Sequence, residues 1–111
     1  MEPTSSLLML TSKQKKRFRT IGHTLKPVVT ISRNAISLGV NTEIERALKD
    51  HELIKVKILA EDRALKKELI QIIINEHNSN LIQLIGNIAL IYRAAKKPNP
   101  ALSNIIRSNI F

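Results

Sequence analysis

The chain has 111 residues, 43% of them hydrophobic and only 3% aromatic, with no cysteine. That length allows one domain with tails, and the missing thiols exclude disulfides, thiolate catalysis and thiolate metal sites. Lys and Arg number 18 against 9 Asp and Glu, a net charge of +9 with an isoelectric point near 10.3; the excess points to a polyanionic partner, nucleic acid ahead of an anionic membrane surface.

Residues 1–10 read as a loose lead-in. Their apolar run "SSLLML" is short and the basic residues follow it, so no signal peptide is expected. No apolar run reaches the roughly 18 residues of a membrane span. "LTSKQKKRFRTIGHTL" reads as a helix capped by Thr11 or Ser12, with Phe18, Ile21 and Leu25 inward and a strongly basic remainder. Up to Asn34 the basic residues are Lys13, Lys15, Lys16, Arg17, Arg19, Lys26 and Arg33, against Glu2 alone. Pro27 ends the helical run and Val28–Ile31 is a short β-branched strand. A very short turn, Ser32-Arg33-Asn34-Ala35, leads to a helix that Ser37 can cap. Its inward stripe is Val40, Ile44, Ala47 and Leu48, and its outer face carries Glu43, Glu45, Arg46, Lys49 and Asp50.

"ELIKVKIL" is the clearest strand, with Ile54, Val56 and Ile58 alternating with Lys55 and Lys57. Asp62 can cap a third helix with Leu65, Leu69, Ile72 and Ile73 inward and Ile70 and Ile74 widening the stripe. It fades at "NEHNSN". "LIQLIG" and "IALIYR" then form a β-hairpin closed at Gly86-Asn87. After Arg93, residues 94–111 comprise a basic linker and a tail. "ALSNIIRSNIF" fits either a short helix with Leu102, Ile105 and Ile106 on one side or a disordered end. The order is one helix and then β-α-β-α-β-β: an α/β (α+β) two-layer sandwich with a small mixed sheet of four strands.

Several segments resemble the CRM domain (chloroplast RNA splicing and ribosome maturation), in particular its bacterial single-domain YhbY-type members. They are "LKPVV" at Leu25–Val29, "HELIKVKI" at His51–Ile58 with the preceding "EIERAL", "EDR" at Glu61–Arg63, and Ile85, Gly86 and Leu90–Arg93. The likeness runs in register from about Leu10 to Arg93, which sets the domain at residues 11–93. It implies a fold similar to the C-terminal domain of translation initiation factor three. It also implies RNA binding and association with precursors of the large ribosomal subunit. The family turn has a G-x-x-G pattern like the loop of the KH domain. Here Ser32 and Ala35 stand at the two glycine positions. Loss of glycine restricts φ, while Asn34 tolerates a left-handed conformation, and Ser32 and Arg33 add a hydroxyl and a charged donor.

The expected RNA-binding residues are therefore Lys13, Lys16, Arg17, Arg19, Lys26, Ser32, Arg33, Asn34, Ala35, Lys55, Lys57 and Arg93. Lys55 and Lys57 equally fit charge protection of a sheet edge, and Arg93, which closes the last strand, is an even candidate for the surface. Tyr92 alternates with Ile88 and Leu90, which favours core packing over base stacking. His23, His51 and His77 are too scattered for a metal site. Glu43 and Glu45 are two apart on a helix and do not face each other. No nucleotide fingerprint or nucleophile pattern appears. The expectation is a non-enzymatic, monomeric, cytoplasmic RNA-binding protein with no cofactor, no membrane partner and no small-molecule substrate. Ribosomal proteins are further candidate partners, and an adaptor that docks on a ribosomal protein or assembly factor through the Ile-rich tail is the alternative.

Overall fold

The computed structural model describes residues 10–32 and 38–108. Helix α1 (Ser12–Gly22) begins with a reciprocal cap: Thr11 Oγ1 accepts from the Gln14 amide at 3.1 Å, and Gln14 Oε1 accepts from the Thr11 amide at 2.9 Å. Strand β1 (Pro27–Ser32) starts on the proline, tolerable because β1 is an edge strand. Helix α2 (Leu38–His51) follows; its proposed Ser37 cap lies outside the described residues. Strand β2 is Leu53–Leu59 and helix α3 is Arg63–His77. The Asp62 carboxylate accepts from the Leu65 amide at 2.7 Å, capping α3, and Asn78 ends it with φ 48°. Strands β3 (Asn80–Ile85) and β4 (Ile88–Tyr92) form the expected hairpin, with Gly86 at φ 57°.

The sheet order is β1-β2-β4-β3. β1 and β2 are parallel, which requires the crossover through α2. β4 pairs antiparallel with both β2 and β3. This is the mixed four-stranded sheet expected from the element order. On its first face Val29, Ile31, Ile54, Val56, Ile58, Ala89 and Ile91 meet Ile44, Ala47 and Leu48 of α2 and Leu69, Ile70 and Ile73 of α3. Ile72, expected inward, is 40% exposed; Ile70 and Ile73 define the buried stripe in its place. The helix α1 packs on the second face. There Phe18 and Ile21 join Leu53, Ile82 and Leu90, with Leu10, Leu25, Tyr92 and Ile105 at the margin. A Cβ added to Gly22 would stand 2.7 Å from Leu90 Cδ2, so glycine lets α1 lie close on β4.

The tail is part of this second layer. In place of one helix, residues 100–102 and 104–107 form two turns. Their anchor is Glu52, between α2 and β2, which is 5% exposed and sits at φ 63°. That left-handed position normally favours glycine. Glu52 earns it through its carboxylate, which accepts from Ser103 Oγ at 2.7 Å and from the Ala95 amide at 2.8 Å. Asn104 adds a 2.7 Å bond to the Leu53 carbonyl, and Ile105 enters the second core. The Asn104 amide donates to the His51 carbonyl at 2.9 Å and the Ile105 and Ile106 amides to Ser103 Oγ at 3.2 Å, bonds that occupy donors a continuous helix would use.

Candidate nucleic-acid interface

Strand alternation decides which side each basic residue serves. Leu53 belongs to the α1 core and Ile54, Val56 and Ile58 to the opposite core. Lys55 and Lys57 therefore lie on the α1 side. In the register Lys57 stands between Thr30 and Ile88, and Lys55 is paired with Leu90. Ser32 is on the same side by the same alternation, paired with Leu59. The α1 helix covers only part of this face. Beyond its C-terminus, Gly22, His23, Lys55, Gln83, Ile85, Ile88 and Leu90 line a shallow cavity of about 160 Å³.

Lys13, Lys15 and Lys16 project from the outer surface of α1, exposed because Phe18 and Ile21 take the inward positions. Arg19 is half-buried in the last turn, where the helix dipole favours a cation. Arg17 turns towards the tail, its guanidinium donating to the Ile105 carbonyl at 3.3 Å. No carboxylate pairs with Lys13, Lys16, Lys26, Lys55 or Lys57 among the described residues. Glu52 on this side is buried and engaged by Ser103 and the Ala95 amide, and the other acidic side chains of the described residues lie elsewhere. Glu43, Glu45 and Asp50 are on α2, Glu68 and Glu76 on α3, and Glu61 and Asp62 just before it. The second face is thus a coherent cationic surface, and the α2–α3 layer is mixed in sign.

Two expected contacts stand apart from the Ser32 end of this surface. Lys26 precedes β1, whereas Ser32 closes it, so the two mark opposite ends of a six-residue strand. Arg93 follows Tyr92 in alternation and points to the α2–α3 side. Its Nη1 donates to both Glu45 oxygens, at 3.0 and 2.9 Å, and to the His77 carbonyl at 3.1 Å. His77, 2% exposed, donates from Nδ1 to Glu45 Oε2 at 2.6 Å and faces Asn41 through Nε2 at 3.2 Å. Burial alone would raise the Glu45 carboxyl, but Arg93 and His77 together outweigh it and hold it below its ordinary value. Arg93 thus ties β4 to α2 and α3. Arg33, Asn34 and Ala35 lie outside the described residues.

Tyr92 packs in the core as its alternation suggests, its ring centroid 4.5 Å from that of Phe18. Burial and the nearby Glu52 carboxylate raise its phenol. The described residues hold no group of three or more His, Asp or Glu able to bind a metal ion, and no helix among them is long and apolar enough to cross a membrane. Sequence reasoning overlooked Arg107, which the docked tail brings to the same cavity as Lys26, next to the end of α1; no local pattern signals that placement.

The chain is similar to proteins of several bacteria. A probable RNA-binding protein of Pseudomonas aeruginosa is 48% identical over 100 residues, covering 90% of this chain and 96% of that one. An RNA-binding protein of Haemophilus influenzae is 41% identical over 88 residues, covering 79% and 89%. Among solved structures, a Staphylococcus aureus protein of proposed RNA binding superposes with a TM-score of 0.69 at 35% identity, covering 86% of this chain and 98% of that one. The sequence pattern of the CRS1 / YhbY (CRM) domain matches residues 10–93, from the start of α1 to the end of β4. The chain therefore belongs to the CRS1/YhbY (CRM) domain family.

Proposed function

We propose that this protein is a non-enzymatic RNA-binding module whose contact surface is the outer side of α1 together with the open part of the second sheet face. The observation that carries the reading is the separation of charge. Lys13, Lys16, Lys55 and Lys57 share one side of the sheet with no carboxylate partner among the described residues, while the α2–α3 layer holds most of the acids. Relatives named RNA-binding proteins support it. Binding is mainly to backbone and shape, because the chain has few aromatic residues and Phe18 and Tyr92 stack on each other in the core. Affinity for structured RNA therefore falls steeply with salt; a flat salt response refutes the reading.

The RNA we propose is the precursor of the large ribosomal subunit, the partner the CRM resemblance implies, met in the cytoplasm during subunit assembly. Crosslinking the protein to RNA in cells and sequencing the attached fragments tests it. Recovery of ribosomal precursor RNA is the expected result, and recovery of chiefly messenger or transfer RNA refutes the target. The adaptor alternative has less to work with in the tail. Of Leu102, Ile105 and Ile106, only Ile106 is exposed, at 48%.

A further inference from the structure

The tail does more than close the second core: it completes a concavity. A cavity of about 530 Å³ lies between the α1–β1 connection, the end of α2 and the turns of the tail. Its basic lining is Lys26, His51 and Arg107, each from a different one of these segments. Thr24 and Asn104 add polar groups, and Leu25 and Val28 an aliphatic wall. No carboxylate lines it. Val28, the second residue of the edge strand β1, is 48% exposed and lies where the β1–β2 register shifts. The volume falls in the range of roughly 300–1,000 Å³ typical of sites that enclose a small organic group, larger than a lone phosphate needs.

We propose that this cavity holds one splayed-out nucleotide of a single-stranded RNA segment, its phosphate between Lys26 and Arg107 and its sugar and base against Leu25 and Val28. The inference rests on the RNA-binding reading above and adds a second contact, at the opposite end of β1 from the Ser32 turn. Cations flanking an aliphatic wall suit the two halves of a nucleotide. A duplex cannot enter a concavity of this kind, whereas an unpaired nucleotide can. The neighbouring cavity shares Val28 and His51 but carries Glu43, Arg46 and Asp50. Those carboxylates turn the RNA away from α2 and direct it along α1, so that the site joins the cationic face.

The test uses the full chain, a fluorescein-labelled single-stranded RNA 12-mer, and the same sequence annealed into a duplex, read by anisotropy over a salt series. Lys26 and Arg107 are exposed, so Lys26→Ala and Arg107→Ala leave the fold intact, checked by thermal unfolding. Each is expected to weaken single-strand binding about 3–8-fold and to reduce the salt slope by about 0.7, with duplex binding within twofold of the parent. Lys13→Ala, on α1, is expected to weaken both ligands alike. If Arg107→Ala keeps the parent affinity and slope while Lys13→Ala does not, the nucleotide site is refuted and the RNA-binding reading stands. Equal loss for single strand and duplex also refutes the site, by reducing it to surface charge. If the parent protein binds neither RNA, both readings fall. Titration with adenosine monophosphate followed by amide NMR gives an independent check. Shifts centred on Thr24, His51 and Asn104 support the site, and shifts confined to residues elsewhere overturn it.

Discussion

The two faces of the sheet solve the same burial problem with opposite electrostatics. On the first, two helices cover β1, β2 and β4 completely, and Lys, Arg, Asp and Glu mix on their outer sides. One end of that layer is held by Arg93 and His77, which both donate to the half-exposed Glu45 carboxylate. On the second, one helix and a string of turns cover only part of the sheet. The lysines left over have no such partners among the described residues. An uncompensated cation costs little in water and gains most when a polyanion arrives. A basic residue therefore says little about function until its face is known: Lys57 and Arg93 looked alike in sequence and serve different sides.

The sharpest way to break the contrast is to neutralise each face in turn. Replacing Lys13, Lys16, Lys55 and Lys57 together by Ala is expected to lower affinity for structured RNA about 100-fold near 0.1 M salt and to flatten the salt dependence. Replacing Arg46, Arg63 and Lys67 on the α2–α3 side is expected to change affinity no more than about twofold, the small residue of long-range attraction. Gel-shift titrations at three salt concentrations check both. Equal losses from the two sets would show that only net charge matters.

The second face also depends on the tail in a way the first does not. Glu52→Ala strips Ser103 and the Ala95 amide of their acceptor and is expected to cost about 2–3 kcal/mol. Glu52→Gly loses the same bonds but relieves the left-handed backbone, so it should be less destabilised than Glu52→Ala by about 1 kcal/mol. Urea unfolding of both variants measures the difference. An Ala variant as stable as the Gly variant would mean that the positive φ of Glu52 carries no strain.

These contacts mark where the sequence stopped being informative. The caps at Thr11 and Asp62, the Ile54-Val56-Ile58 alternation and the Gly86-Asn87 turn are local features. Each is decided within a few residues, and the structure has them all. Alternation also put Lys55 and Lys57 together, and Tyr92 and Arg93 apart. It could not say which side α1 would choose, because that depends on Gly22 meeting Leu90, far along the chain. The tail was illegible for the same reason: Leu102, Ile105 and Ile106 show helical spacing, but Ser103 and Asn104 between them answer to Glu52 and Leu53. At Arg93 the sequence left the surface role open, and the partner it meets, Glu45, lies 48 residues away.

That partner sharpens the comparison further. Arg93→Met is expected to cost about 1 kcal/mol, since Glu45 is half-exposed and water replaces part of what it loses. RNA affinity should stay within twofold, because the guanidinium belongs to the first face. A large fall in affinity with unchanged stability would return Arg93 to the binding surface.

The smallest expected effect is a pH dependence confined to the first face. The Glu45 carboxyl is held below its ordinary value of 4.5 by Arg93 and His77, which outweigh the opposing effect of burial. A depressed carboxyl contributes stability above its unfolded value and loses it as pH falls through the folded value. The Arg93–Glu45–His77 contribution is therefore fully present at neutral pH and disappears in a window beginning near pH 4.5 and extending below it. Urea midpoints between pH 7 and pH 3 should fall less steeply in Glu45→Gln than in the parent. The difference between the two curves is the signal, because any other response to acid is common to both proteins. Parallel curves would show that Glu45 is held in place by packing alone. Glu45, Arg93 and His77 all meet on the α2–α3 side, so the difference belongs to the face on which charge is compensated.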